Sequence, residues 1–487
     1  MVSSRFIQMQ DKHELEEIHE AAVKVLETVG VEFQSESALN VFKARGAAVE
    51  GSRVRINRNL IETSIESAPS AFMLHGRNGD QSVTIGEGQA HTLVEPCNGC
   101  IYAQSLDRGR RIGGIDDLVN FIKLSQASDV CSINGGIPVV PSDVDGKTAY
   151  LRILFETLKN TDKPLRSNPG SRQEVETMFR MVEIAEGQPG FLEDHAAIYV
   201  SINPLSPLVF REVELETLMT YAEHRQPVAV LSCAMAGVSA PMSLRGTCVL
   251  QNAEILAGLV LTQLVNPGTP FIYAPASAVP DMKSGQYVTG SPESNLINIA
   301  NVQLARDLYR LPTRTMAGLT DAKVVDVQAG LETMQNLSLC MMSGVSIINE
   351  CLGVLDSIMT NSYEKFILDQ EMISRVLTIM KGFEGVNGDL ATEAIEQTGP
   401  GGNFLYHPDT LMHCRDNWQP LVSSWDHYEK WEEKGKMDAA VRASSIYKAM
   451  LSEAPDSMLD PAVEQELVAF ARRVAPDVDL GCSIKSS

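Results

Sequence analysis

The chain has 487 residues, with 44% hydrophobic and 21% charged residues, a balance that allows a large buried core without metals or crosslinks. Forty Lys and Arg against 62 Asp and Glu give a net charge of −22, which repels phosphate backbones and anionic lipid and so excludes a nucleic-acid or membrane-surface role. No stretch reads as the ~20 apolar residues of a membrane span, Met1 to Lys12 is polar rather than signal-like, and nine scattered cysteines suit a reducing compartment, so the expected location is the cytoplasm.

The first predicted element is a helix with Leu15, Ile18, Ala22, Leu26 and Val29 on one face and Gly30 stopping it. Short helices follow around Ala38–Lys43 and Leu60–Glu66, and strand-like alternation marks Val54–Ile56 and Ala71–Leu74. Residues 1–86 therefore read as an α+β N-terminal cap.

From His91 the pattern becomes a regular alternation of short apolar strand and amphipathic helix. Eight strands are predicted: His91–Pro96, Cys131–Ile137, Pro164–Asn168, Ala196–Asn203, Pro227–Cys233, Pro270–Ala276, Pro312–Gly318 and Val345–Leu352. Helix starts lie between them: Ser171 with Glu174 has capping-box spacing, Ser291 precedes Pro292 at a first helical position, and Thr320 precedes Asp321. Short, continuously apolar strands are what a parallel sheet buried on both faces requires, and eight units predict a (β/α)8 TIM barrel over residues 87–385. A doubly wound open sheet is the rival, but neither nucleotide-binding glycine signature, G-x-G-x-x-G nor G-x-x-x-x-G-K-[ST], occurs. After Val386 the periodicity breaks, Gly399–Asn403 interrupts the chain, and Trp418, Trp425 and Trp431 cluster. Plain helices return over Asp438–Val474, so residues 386–487 form a helical C-terminal extension packed on the barrel.

Active sites of such barrels lie at the C-terminal ends of the strands. The residues found there are Glu95 and Asn98, Asn134, Ser167 and Asn168, Asn203, Ser232, Ser277, Met316 with Thr320, and Asn349 with Glu350. No strand end carries His, and no trio of His or Cys could grip zinc, so metal-activated water is not expected. Nor does a strand end carry a lysine for Schiff-base chemistry, Lys323 falling on a predicted helix. Cys97 and Cys100 have C-x-x-C spacing with no second pair to complete four ligands, and the spacing of His407, His413 and Cys414 matches no standard metal site.

What remains is amides, hydroxyls and two carboxylates, suited to holding a small charged molecule without acid–base work on it. A quaternary ammonium fits, needing aromatic faces or a carboxylate near its cation and donors for its own anionic end. Glu95 and Glu350 are the candidate catalytic carboxylates and counter-ions. Tyr102, Phe210 and Tyr273 could present rings, although core packing accounts for any one of them more simply. Asn134, Ser167, Asn203, Met316, Thr320 and Asn349 complete the candidate substrate contacts.

Several segments carry a family resemblance: Ile18–Leu26, Ala240–Gly246, Gln251–Glu254 and, more specifically, Gln263–Gly268, Thr320–Gly330 and Gly399–Leu405. Over nearly its whole length the chain resembles the trimethylamine methyltransferase family, in the branch that lacks pyrrolysine. The resemblance implies a (β/α)8 barrel that moves a methyl group from an amine to cobalt(I) of a separate corrinoid protein docked over the barrel mouth. The chain itself would bind no cofactor, the corrinoid (cobalamin) belonging to the partner. Because only the twenty standard residues are present, the implied substrate is a quaternary amine, with glycine betaine first and dimethylglycine released. Carnitine, γ-butyrobetaine and proline betaine are alternatives. A non-catalytic betaine-binding protein is the reading from another class, and a barrel hydrolase or lyase would have only Glu95 and Glu350 to serve as a base. Two positions depart from the family pattern: Asn403 stands where the glycine-rich segment often continues with His, and Asp409–Thr410 where a His–Thr pair appears. Both would tune the substrate mouth or the partner surface. Barrels of this size commonly pair, so a homo-oligomer is compatible with the chain.

Overall fold

The computed structural model describes residues 6–385 and 390–481; the expected breakpoint at Val386 lies outside them. Eight strand–helix units follow one another, each strand falling inside the span expected from the sequence. In chain order they are β1 Leu93–Pro96 and α1 Ile115–Ala127, β2 Asn134–Gly135 and α2 Ala149–Asn160, β3 Leu165–Ser167 and α3 Arg172–Glu186, and β4 Ile198–Ile202 and α4 Glu212–Glu223. The second half comprises β5 Val228–Ser232 and α5 Leu244–Val265, β6 Phe271–Pro275 and α6 Pro292–Leu304, β7 Arg314–Met316 and α7 Val327–Met342, and β8 Ile347–Cys351 and α8 Tyr363–Lys381.

The strands form two parallel ladders, β2-β3-β4-β5-β6 and β7-β8-β1. At one seam Tyr273 N donates to Pro312 O (2.8 Å) and Tyr273 makes an isolated parallel bridge with Thr313. At the other, Ser132 N and Ile133 N donate to Val94 O at 2.8 and 3.1 Å. Strand periodicity of two sorts the side chains. Leu93, Ile133, Tyr199, Ala229, Leu231, Ile272, Ala274, Met316 and Ile347, drawn from both ladders, pack into one apolar cluster. Val200, Val230 and Phe271 face the helices instead.

Local signals explain most helix starts. Ser171 and Glu174 make the reciprocal capping box before α3, and Ser291 caps α6 with Pro292 in its first turn. The expected start at Thr320 is wrong. Helix α7 begins at Val327 under an Asp326 cap, because Thr320 Oγ1 (2.6 Å) and Asp321 N (2.8 Å) both donate to Glu332 Oε2 and hold 320–326 as a loop. Lys323 therefore lies on this loop rather than a helix, its Nζ on Asp321 O (2.6 Å) and beside Asp356 (3.3 Å).

The N-terminal helix, Lys12–Thr28, buries Leu15, Ile18, Ala22, Val23 and Leu26. Val29 does not share that face: the helix has ended, Val29 is its exposed C-cap, and Gly30 turns the chain at φ +77° with Val54 O too close for any Cβ. Strand Val31–Phe33 pairs in parallel with Val209–Phe210, tying this segment to the loop after β4.

Helix α5 corrects the expectation that no stretch is long and apolar enough to span a membrane: among the described residues this one helix is, by length and composition. It is enclosed by protein, and its buried Asn252 and Glu254 bond Tyr309 and Ser232.

Helix Ala439–Glu453 packs on α8 and α1, and Pro461–Val474 packs on α3. Between them and α8, Glu371 accepts from Val422 N (2.5 Å), Ser423 N (2.8 Å) and Ser423 Oγ (2.5 Å), while Trp418 Nε1 donates to Ser374 Oγ (3.1 Å) and Arg375 stacks over the Trp418 ring.

Candidate active site

Four strands bring charge to the middle of the structure. Glu95 on β1 is fully buried; its Oε1 accepts from Arg314 Nε on β7 at 2.6 Å and, more distantly, from Arg166 Nη1 on β3 at 3.3 Å. Arg314 Nη2 approaches the same oxygen, and Tyr199 OH on β4 donates to Oε2. Burial alone would lower the Arg314 pKa, but Glu95, with Tyr199 and Glu350 beyond it, raises it and keeps the guanidinium charged. Burial and the Glu95 carboxylate both push the Tyr199 phenol up, so it acts as donor. Glu95 is thus an anion already matched by its neighbours, as a carboxylate at this depth must be.

Glu350, at the end of β8, is different. Its backbone is left-handed at φ +54°, next to a register shift in the pairing of β8 with β1, a non-glycine conformation that costs on the order of 1–2 kcal/mol and concentrates at functional positions. The bend delivers the carboxylate to neutral donors: Asn98 N to Oε2 at 3.0 Å and Asn349 Nδ2 to Oε1 at 2.9 Å. Burial raises its pKa, opposed first by the Arg166 charge. Asn98 is held in turn by Ile137 N, which donates to its Oδ1 at 2.6 Å.

Cys233, just past β5, is solvent-accessible, and burial against the surrounding protein pushes its thiol pKa up. Its Sγ lies 3.2 Å from Tyr287 OH, which donates to Ala276 O (2.7 Å). The Glu350 charge bears on both. A cleft beside the ends of β2 and β3 is lined by Gly136, Tyr150, Arg166, Ser167, Asn168 and Glu174 among others; neither Glu95 nor Glu350 lines it.

Of the sequence-predicted contacts, Met316 faces the inter-ladder cluster, Asn349 holds Glu350, and Asn203 is exposed at the end of β4. The others are engaged elsewhere. Asn134 bonds Ile122 O (3.0 Å) and Gly135 N (2.8 Å); Ser167 Oγ meets Tyr221 OH (2.5 Å); Thr320 bonds Glu332. Ser232 and Ser277 likewise bond Glu254 (2.6 Å) and Ala234 N (3.1 Å). Phe210 stacks on Phe33 at 5.3 Å, Tyr273 OH donates to Asn252 Oδ1 (2.9 Å), and the Tyr102 ring is covered by Arg110 at 3.5 Å. Asn403 is exposed and accepts from Leu405 N (2.7 Å), and Asp409 N donates to His407 Nδ1 (3.2 Å). Cys97 and Cys100 are buried thiols 3.7 Å apart, and among the described residues no group of three or more His, Cys, Asp or Glu could hold a metal.

Sequence reasoning missed Arg166, Arg314 and Tyr199. A signal existed: each arginine stands two residues after the proline that opens a predicted apolar strand, and a charge inside a strand buried on both faces demands a partner.

Residues 2–476 match the family model described as trimethylamine methyltransferase (MTTB). A glycine betaine methyltransferase of Desulfitobacterium hafniense (strain Y51) is 38% identical over 466 residues, covering 96% of each chain. A proline betaine:corrinoid methyltransferase of Eubacterium limosum is 33% identical over 83% of this chain and 84% of that one. The monomethylamine methyltransferase of Methanosarcina barkeri shares the fold, with a TM-score of 0.55 at 12% identity over 94% of this chain and 90% of that one. The chain belongs to the trimethylamine methyltransferase family.

Proposed function

We propose that this member of the trimethylamine methyltransferase family moves a methyl group from a quaternary amine, glycine betaine first, to the reduced cobalt of a corrinoid carried by a separate protein, releasing dimethylglycine. The observation that carries the reading is Glu350, a buried carboxylate held at a strand end by two neutral donors. A fixed cation beside it would add a direct counter-charge where its hydrogen-bond partners are both neutral. The similarity to enzymes named for glycine betaine and proline betaine supports the same class; carnitine and γ-butyrobetaine are the alternatives within it.

We read the two ladders as a (β/α)8 barrel spanning 87–385, with residues 1–86 as its cap and 386–487 as its extension. The seam hydrogen bonds at Tyr273 and Val94 and the side-chain cluster shared by both ladders support that reading. We assign the protein to the cytoplasm, supported by the eight described cysteines, all free thiols.

A quaternary nitrogen has no proton to lose, so no general base is required. A corrinoid carried by the partner protein would supply the cobalt(I) nucleophile. In the displacement one N-methyl carbon–nitrogen bond breaks, its electron pair stays on nitrogen, and a neutral tertiary amine leaves. The chain's part is positional and electrostatic: Glu350, steadied by Asn98 and Asn349, holds the ammonium still. The similarity to proteins named as methyltransferases favours the enzyme over a betaine-binding protein. Mixing the protein with cob(I)alamin and a panel of betaines and following methylcobalamin by absorbance tests the assignment. Methylcobalamin with glycine betaine is expected; none with any quaternary amine ends the proposal.

A further inference from the structure

We infer that Arg166 receives the substrate's carboxylate, and that the site thereby selects quaternary amines bearing a carboxylate over those without one. This deepens the quaternary-amine reading and rests on it. Glu95 is occupied without Arg166: Arg314 Nε holds Oε1 at 2.6 Å and Tyr199 holds Oε2, whereas Arg166 Nη1 is a distant 3.3 Å away. Arg166 Nε has no hydrogen-bond partner among the described residues, although the residue is only 7% exposed. Among the described residues Arg314 Nη1 is unpartnered too, but Arg314 is fully enclosed, whereas Arg166 keeps some exposed surface. Gly136 makes room for this arrangement, since a Cβ there would sit 2.7 Å from Asn98 Oδ1 and 3.7 Å from Arg166 Cδ.

The charge count points the same way. Glu95 and Glu350 against Arg166 and Arg314 sum to zero, and a zwitterion adds nothing to that sum. Its ammonium pairs with Glu350 and its carboxylate with Arg166, the cation whose field acts most on Glu350. A bare cation such as choline would bring an uncompensated charge into the same low-dielectric space and leave Arg166 short of an acceptor.

The test is calorimetric titration of the whole protein without corrinoid, so that no turnover occurs, with glycine betaine, choline and 3,3-dimethylbutyrate, the last keeping the carboxylate and replacing ammonium by a neutral tert-butyl group. Wild type should bind glycine betaine at least about tenfold more tightly than choline. Arg166→Gln should weaken glycine betaine about a hundredfold, the usual scale for removing one member of a buried charge pair. The same variant should abolish dimethylbutyrate binding and leave choline no weaker, and Arg166→Lys should restore part of the loss. Equal affinity of wild type for choline and glycine betaine overturns the inference, as does an Arg166→Gln variant that keeps its preference. If Arg166→Gln does not fold, Arg166→Lys and the wild-type ligand series decide. Failure of the parent reading looks different: no methylcobalamin from any quaternary amine, whatever the binding preference.

Discussion

Glu95→Gln and Glu350→Gln are isosteric changes of two buried carboxylates, and the structure predicts opposite consequences. Glu95 neutralises Arg314, which has no exposed surface, and accepts from Tyr199 as well. An amide there leaves the guanidinium buried with no counter-ion, a loss of about 3–5 kcal/mol. With an unfolding entropy near 2.1 cal/mol/K per residue, a chain of this length melting as one unit loses roughly 1 °C per kcal/mol, so Tm should fall by about 3–5 °C. Among the described residues Glu350 accepts only from Asn98 N and Asn349 Nδ2. A glutamine keeps the first bond, and Asn349, whose Oδ1 has no partner among the described residues, can flip its amide to accept from the new NH2. Its Tm should stay within about 1 °C of wild type, while glycine betaine affinity collapses. Differential scanning calorimetry of both variants, with and without glycine betaine, reads both effects. A Glu95→Gln protein that melts with wild type, or a Glu350→Gln protein that melts as low as Glu95→Gln, would refute the division between structural and substrate-facing carboxylate.

Because burial raises the Glu350 pKa, the KM for glycine betaine should fall as pH rises through that elevated value, and the pH dependence should vanish in Glu350→Gln. The sign for stability is reversed: this group's contribution is fully present below the ordinary carboxylate value and lost as pH rises through the raised one. Burial alone would also raise Glu371, but hydrogen bonds from Ser423, Val422 and Arg375 outweigh it and hold the pKa at about 2, from an ordinary 4.5. The stability it contributes should therefore be lost as pH falls from 4.5 towards 2, with a change in Trp418 fluorescence that Glu371→Gln shows already at neutral pH. Phe210→Ala should cost about 3–5 kcal/mol of stability by emptying the stack on Phe33, with glycine betaine affinity unchanged; weakened binding at intact stability would return Phe210 to a cation-cage role.

The eight strands and most helix starts were legible in the sequence because their causes are local. Apolar runs opened by proline, capping residues three positions from their acceptors and glycines at chain reversals act within a few residues, as Ser171 with Glu174 and Gly30 show. Thr320 misled for an equally physical reason: it has a cap's chemistry, but Glu332, twelve residues on, claims its hydroxyl. Glu95 and Glu350 looked alike as two carboxylates at strand ends. Only the folded chain separates them, because Glu95 meets Arg314 across 219 residues and Tyr199 across 104, while Glu350 meets Asn98 across 252. A residue's type and its local pattern set which element it joins. The partner that neutralises a buried charge, or leaves it open to a ligand, comes from a distant strand, and that pairing is decided by tertiary packing alone.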